Sequence, residues 1–291
     1  MSTAPLMGAP EAVRLLSRTT GEAYHLVGRL AGGESGAHEI CGPEGERLVV
    51  KWETDAVSQE ARREAVALTE RLRQVAGWPV PRQRVVPAGS CLFVLQELLP
   101  GAPVETFTRD LADALLELHE RRIGLEPPGD GSTWPEQLIR TLTVGGDGYC
   151  VHESLRSHDA RTASLLQRIV SIGQSTETRD LGGGDVVHWD LHLGNVLQRD
   201  GQLSAIVDND FVKVGDAAFD LVTLWISSLT VRCEPGVRDR LFERAVEPLG
   251  EARRRAYLAH LLLRCIDWPI RRGRPAEVEF WLGQANRLLP R

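Results

Sequence analysis

The stretch His188-Trp189-Asp190-Leu191-His192-Leu193-Gly194-Asn195 is followed, thirteen residues after the asparagine, by Asp208 in the apolar-flanked run Ala205-Ile206-Val207-Asp208. One carboxylate, one amide and a second carboxylate are thereby set where a loop and the next strand can aim all three at one magnesium-bound nucleotide. Phosphoryl transfer asks little covalent chemistry of a protein. A base must orient the attacking hydroxyl, and metal ions must neutralise the charge building on the phosphoryl oxygens. Asp190 is the expected base. Asn195 and Asp208 are the expected metal ligands, because Mg2+ prefers hard oxygen donors completed by phosphates and water.

These residues need strands and turns to hold them. Asp185-Val186-Val187 is a short apolar approach to His188, Val196-Leu197 follows Asn195, and Gln202 to Val207 alternates toward Asp208, the pattern of strand, loop, strand and strand. Upstream, Tyr24 to Leu30 reads as a strand running into Ala31-Gly32-Gly33-Glu34-Ser35-Gly36-Ala37. With His38 to Cys41 and Arg47 to Trp52 it makes a three-strand meander. From about Val57 to Val75, apolar residues at Ala61, Ala65, Leu68 and Leu72 recur at helical spacing. Strands follow near Arg84-Val85-Val86 and from Ser90 to Glu97, until Leu99-Pro100-Gly101 breaks the chain. Beyond it the pattern is mostly helical. The expected organisation is an α+β chain with a small antiparallel-sheet, nucleotide-binding N-lobe over residues 1–98. A larger, mostly helical lobe for catalysis and substrate binding follows over residues 99–291.

Only two of the 34 basic residues are lysines, Lys51 and Lys213, so a functional lysine has few candidates. Lys51 ends an apolar strand about 20 residues after the glycine-rich turn, where its ammonium can pair with nucleotide phosphates. The following helix is expected to supply a carboxylate to hold it: Glu64, beside the Ala61/Leu68 stripe, or Glu60 one turn earlier. In the glycine-rich turn, backbone N–H groups and the Ser35 hydroxyl can donate to phosphate oxygens. Leu92 to Gly101 is a strand that stops at a hinge, where the Glu97 carbonyl and the Leu99 N–H can meet an adenine edge.

Hydrophobic content of 42%, charged content of 25% and a net charge of −6 describe an ordered globular chain. The acidic balance argues against nucleic acid as partner and mildly for a cationic small molecule. Five scattered cysteines without a CxxC pair argue against a disulfide framework or zinc site and for a reducing compartment. With no signal-like start and no long apolar run, the cytoplasm is the expected location and the membrane is not an expected partner. Oligomeric state leaves no trace in the sequence.

Taken in order, Val50-Lys51, Glu97 to Gly101, the Leu111 to His119 helix, His188 to Leu197, Val207-Asp208 and Gly215 to Leu221 resemble the aminoglycoside phosphotransferase and choline kinase-like superfamily. The likeness runs from about Tyr24 to Trp281. It implies a bilobal, protein-kinase-like fold, ATP or GTP as donor, Mg2+, and phosphorylation of a substrate hydroxyl near Asp190. It further implies that His188 and Asp220 brace the catalytic loop by hydrogen bonds and that Asp210 supports the metal site. Two positions depart from the family: Trp189 stands for a small residue, and Asn209 for the tryptophan after the metal-binding aspartate. A swap of that kind is expected to preserve the local packing while changing the wall seen by substrate; His192 is expected to shape the loop.

The leading expectation is an antibiotic phosphotransferase conferring resistance, acting on an aminoglycoside or a tuberactinomycin-type peptide. Such a polycation needs carboxylates around the acceptor hydroxyl, with candidates at Asp147, Glu153, Asp159, Glu234, Glu247, Glu251, Asp267, Glu277 and Glu279. The alternatives are a kinase of choline, ethanolamine, homoserine or a sugar, and a non-catalytic pseudokinase that only binds partners.

Overall fold

The computed structural model describes residues 7–30, 36–125, 133–146 and 148–289. In chain order its elements begin with α1 (Ala9–Thr20), β1 (His25–Arg29), β2 (His38–Cys41), β3 (Arg47–Glu53), α2 (Ala56–Val75), β4 (Gln83–Ala88) and β5 (Cys91–Glu97). Next come β6 (Ala102–Pro103), β7 (Thr106–Phe107), α3 (Arg109–Arg122), α4 (Trp134–Thr143), α5 (His152–His158), α6 (Ala160–Ser175) and β8 (Asp185–Val187). Then follow β9 (Val196–Arg199), β10 (Gln202–Ile206), β11 (Lys213–Gly215), α7 (Ala217–Ser228), β12 (Arg232–Cys233), α8 (Val237–Leu241), α9 (Glu251–Arg271) and α10 (Pro275–Leu288). The chain divides into two compact units, Met1–Val104 with Gly194–Lys213, and Glu105–Leu193 with Val214–Arg291.

The first unit is built on a five-stranded antiparallel sheet in the order β1-β2-β3-β5-β4. Alternation along β3 sends Leu48, Val50 and Trp52 to the face covered by α1, where they join Leu16, Ile40, Phe93 and Leu95. Val49, Lys51 and Glu53 therefore face the other way. Helix α1 precedes the sheet and adds to the elements expected from sequence: Pro10 sits in its first turn, Ala12, Val13 and Leu16 are its buried stripe, and Gly21 closes it at φ 74°. On α2, the Asp55 carboxylate accepts the Ser58 N–H at 2.8 Å, a cap that contributes about 1 kcal/mol. The same unit takes in the β9–β10 hairpin, against which β6 pairs. Gly101, at φ 133°, passes so close to that hairpin that an added Cβ would lie 3.0 Å from Leu197 Cβ.

The second unit is mainly helical, with α9 and α4 buried at its centre. Leu258, Leu261, Leu262 and Ile266 of α9 are 5% exposed or less, as are Trp134 and Leu138 of α4. The expected combination of an antiparallel sheet with many helices is thus present. No helix among the described residues is long and apolar enough to cross a membrane.

Candidate active site

In the first unit, Lys51 is buried, and its Nζ lies 2.7 Å from Asp208 Oδ1 and 2.6 Å from Asp210 Oδ2. Two carboxylates two residues apart reach one ammonium because Asp208 adopts the left-handed conformation, φ 61° and ψ 52°, which kinks the chain out of β10 into a tight turn over Asn209–Phe211. Asp tolerates that conformation better than most residues. Asn209 secures the turn from inside: it is 2% exposed and donates to the Ile206 carbonyl at 3.3 Å. The Val207 N–H donates to the Asn195 carbonyl at 2.9 Å, so the asparagine and Asp208 sit on adjacent backbone. Burial would lower the Lys51 pKa, but Asp210 and then Asp208 overcome it and hold the ammonium above its ordinary value.

Asn195 and Asp208 offer one amide oxygen and one carboxylate, a donor set that suits Mg2+ when phosphates and water complete its octahedron. Asp208 keeps 29% of its side chain exposed, whereas Asp210 keeps 5%. The second carboxylate is fully engaged, with Lys51 on Oδ2 and Arg62 of α2 on Oδ1.

In the second unit, the loop after β8 is pinned by backbone contacts. Asp220, fully buried on α7, accepts the His188 N–H at 2.7 Å through Oδ2 and the Trp189 N–H at 2.9 Å through Oδ1. Arg122, also fully buried, ion-pairs with the same carboxylate and donates to the Ala217 carbonyl at 2.8 Å. Trp189 takes φ 71°, an unfavourable backbone for a bulky residue that costs on the order of 1–3 kcal/mol. Its ring offsets that cost by stacking on Phe219, centroids 5.1 Å apart, and meeting Trp134 edge-on at 4.8 Å. The kink leaves Asp190 a quarter exposed.

Arg264 of α9 completes this half. Its guanidinium lies 3.2 Å from Asp190 Oδ1 and donates to the Trp189 carbonyl at 3.1 Å, tying the carboxylate and the preceding peptide to one rigid helix. Burial opposes its charge, yet the Asp190 carboxylate prevails and its pKa is raised. Replacing Arg264 with methionine is expected to lower kcat about tenfold or more and to leave nucleotide affinity unchanged, because it frees the Asp190 carboxylate expected to act as base. Unchanged steady-state turnover would remove Arg264 from the catalytic arrangement.

A family model described as the phosphotransferase enzyme family matches residues 29–259. The chain belongs to that family. Among solved structures, a thermostable mutant of aminoglycoside phosphotransferase APH(4)-Ia in ternary complex with ADP and hygromycin B is 17% identical, with TM-score 0.63 over 95% of this chain and 97% of that one. A protein from Thermobifida fusca YX-ER1 described as a fructosamine-3-kinase is 18% identical, with TM-score 0.62 over 98% and 100%. A macrolide 2'-phosphotransferase type I is 16% identical, with TM-score 0.60 over 98% and 99%. At these identities the likeness shows a shared kinase-like fold. Among curated protein sequences none matches the chain significantly.

Within this phosphotransferase, the first unit brings Lys51 and Asp208 together and sets Asn195 beside Asp208. Asp190, His188 and Asp220 belong to the second unit, where Asp220 holds the loop through the backbone N–H groups of His188 and Trp189. Glu64 does not join Lys51. The buried stripe of α2 runs through Arg62, Ala65, Leu68, Thr69 and Leu72, one residue on from the Ala61 start expected from sequence, so Glu64 and Glu60 face outward. Glu97 ends β5, its N–H bonded to the Arg82 carbonyl at 3.1 Å and its carboxylate accepting the Arg82 N–H at 3.1 Å; Leu99 follows, half-buried. Ser35 lies outside the described residues. Trp189 is 5% exposed and packed among aromatic side chains, so it shapes the core beneath the loop and not a substrate wall. The sequence signal missed was Arg62 and Arg264, charged residues at helix positions with apolar periodicity.

Most carboxylates considered for a polycation already have partners. Glu153 pairs with Arg156, Asp159 and Glu279 with Arg161, Glu251 with Arg255, Asp267 with Arg271 and Glu277 with Arg274. Glu234 accepts the Arg109 N–H at 2.8 Å. Glu247 is exposed, and Asp147 lies outside the described residues.

Proposed function

We propose that this enzyme transfers the γ-phosphoryl group of ATP or GTP to a hydroxyl of a small molecule, with a basic antibiotic as the leading acceptor and resistance as the consequence. Lys51 binds the donor phosphates, and Asn195 and Asp208 hold the metal. The Glu97 carbonyl and Leu99 N–H take the base edge, with the Ser35 segment over the phosphates. When bound, Mg2+ supplies charge neutralisation on the transferring oxygens. Asp190 accepts the proton of the acceptor hydroxyl and orients its lone pair, while Asp220 and Arg264 keep the loop and the carboxylate still. The observation that carries this reading is the buried Lys51 ammonium 2.7 Å from Asp208, with Asn195 on the neighbouring backbone. Support for a nucleotide donor and an aminoglycoside acceptor also comes from the aminoglycoside phosphotransferase crystallised with ADP and hygromycin B.

A second reading, a metabolite kinase acting on a sugar, choline, ethanolamine or homoserine, is favoured by one feature. Asp190 has an arginine 3.2 Å away, and most of the acids considered for a polycation are already paired with arginines, which suits an acceptor of low positive charge. The enzyme should be offered aminoglycosides, tuberactinomycin peptides, choline, ethanolamine, homoserine and simple sugars with ATP or GTP and Mg2+, reading the mass gain of one phosphoryl group. Product from a sugar or amino alcohol alone would replace the antibiotic reading; no product from any acceptor, with nucleotide bound, would favour a pseudokinase. For the metal site, Asp208→Ala is expected to abolish the Mg2+-dependent part of nucleotide affinity, on the order of tenfold or more, measured by calorimetry with and without Mg2+. Equal Mg2+ enhancement in variant and wild type would exclude Asp208 as a ligand.

A further inference from the structure

The phosphate lysine is held by carboxylates, and neither comes from the helix that follows its strand. Lys51 Nζ divides its donors between Asp208 at 2.7 Å and Asp210 at 2.6 Å. Asp210 is gripped on its other oxygen by Arg62 of α2, and Arg62 reaches on to Glu53 at 2.7 Å. The result is a chain of alternating charge, Glu53, Arg62, Asp210, Lys51 and Asp208. Its middle three side chains are all less than a tenth exposed. Strand alternation makes this possible, because Lys51 and Glu53 lie two residues apart on one face of β3, where Glu53 meets Arg62 of α2 and Lys51 meets the 208–210 turn.

We infer that Asp210, braced by Arg62, is the positioning residue that keeps Lys51 aimed when Asp208 turns to the metal. The inference rests on the reading of Lys51 and Asp208 given above. Asp208 would divide itself between two needs: a carboxylate shared with a divalent cation gives up part of its hold on an ammonium, and a loosely held lysine regains rotamer freedom. Asp210 has no such competing duty. Both its oxygens are occupied by side-chain cations, so it is spent on orientation and not on the metal. Arg62 in turn ties α2 to β3 through Glu53 and to the 208–210 turn through Asp210. The helix thus contributes a cation one contact removed from the lysine, in place of the carboxylate expected to touch it.

The test compares binding of Mg2+·AMP-PNP, or Mg2+·GMP-PNP if guanine nucleotides are preferred, with binding of the corresponding nucleoside. The nucleoside lacks the phosphates that Lys51 would hold, so general damage to the unit weakens both ligands, whereas loss of the brace weakens only the first. Asp210→Asn is expected to weaken the triphosphate analogue about tenfold or more and to leave the nucleoside unchanged. Arg62→Met should act in the same direction, and the double substitution should be no worse than the more severe single one, as members of one chain of contacts behave. The double variant leaves neither Arg62 nor Asp210 as an unmatched buried charge, and it carries the test if Asp210→Asn fails to fold. Wild-type affinity for the analogue in Asp210→Asn, or in the double variant, would overturn the inference. So would a selective loss in Glu64→Gln as deep as that in Asp210→Asn. Lys51→Met separates the two levels of the argument. If it too binds the analogue normally, the phosphate role of Lys51 is wrong; if it alone loses affinity, that role stands and the brace falls.

Discussion

Asp190→Ala is expected to reduce kcat by about 10²- to 10⁴-fold, the usual contribution of a positioned general base, while nucleotide affinity stays within about twofold of wild type. The separation follows from where the side chains are. Lys51, Asn195 and Asp208 are held within one unit by contacts that do not involve Asp190, so its truncation leaves the Lys51–Asp208 pair at 2.7 Å untouched. Arg264 loses its carboxylate but keeps the Trp189 carbonyl, and that side chain is 19% exposed, so solvent can meet the freed charge. Single-turnover measurements at saturating nucleotide isolate the step. Turnover within a few-fold of wild type would remove Asp190 as the base and leave the loop as a binding element only.

Much of this arrangement was legible in the sequence where chemistry and chain order coincide. The spacing from Asp190 to Asn195 and on to Asp208 follows from a loop feeding a hairpin, and β9 and β10 pair as that hairpin, although an irregularity between Leu203 and Ala205 breaks the alternation expected of Gln202 to Val207. Lys51 could be singled out because lysine is so scarce here. Contacts across long sequence separations left no such trace. Arg122 meets Asp220 98 residues away, and Arg264 meets Trp189 75 residues away; helical periodicity alone assigns such arginines to the solvent face. The same ambiguity turned α2: Ala61 and Arg62 are neighbours on a helix, and an apolar count prefers the alanine, yet the arginine is buried where two carboxylates, Glu53 and Asp210, meet it. A buried ion pair is invisible to hydrophobic periodicity, which therefore points to Glu64, on an outward face of α2, as the lysine's partner. The short α1 was missed for a different reason. Its apolar stripe has only Ala12, Val13, Leu15 and Leu16 to show, and its weight comes from packing on a sheet not yet assembled at the level of sequence.

Asp220→Asn is expected to be among the most damaging single substitutions in the second unit, although it changes neither size nor shape. Asp220 is fully buried and its two oxygens receive three groups: the His188 N–H, the Trp189 N–H and the Arg122 guanidinium. An asparagine keeps one acceptor oxygen and turns an NH2 group toward a donor. One N–H of the loop loses its acceptor, and Arg122, with no exposed surface, loses the Asp220 charge while carbonyl and imidazole partners remain. Breaking a buried pair from one side costs about 3–5 kcal/mol. In a unit of this size that corresponds to a fall in Tm on the order of 10 °C. Turnover should fall further than stability requires, by roughly 10²-fold, because the left-handed Trp189 is held against its own backbone preference by these hydrogen bonds, and release moves Asp190. Adding Arg122→Met tells the two effects apart. The unmatched charge is then gone, so Tm should recover part of its loss, whereas the loop still lacks its acceptor and kcat should stay low. If Asp220→Asn melts within about 2 °C of wild type, the Arg122–Asp220 pair is not what secures this part of the fold; if kcat recovers together with Tm in the double variant, the carboxylate acts through stability alone and not through the geometry of the Asp190 loop.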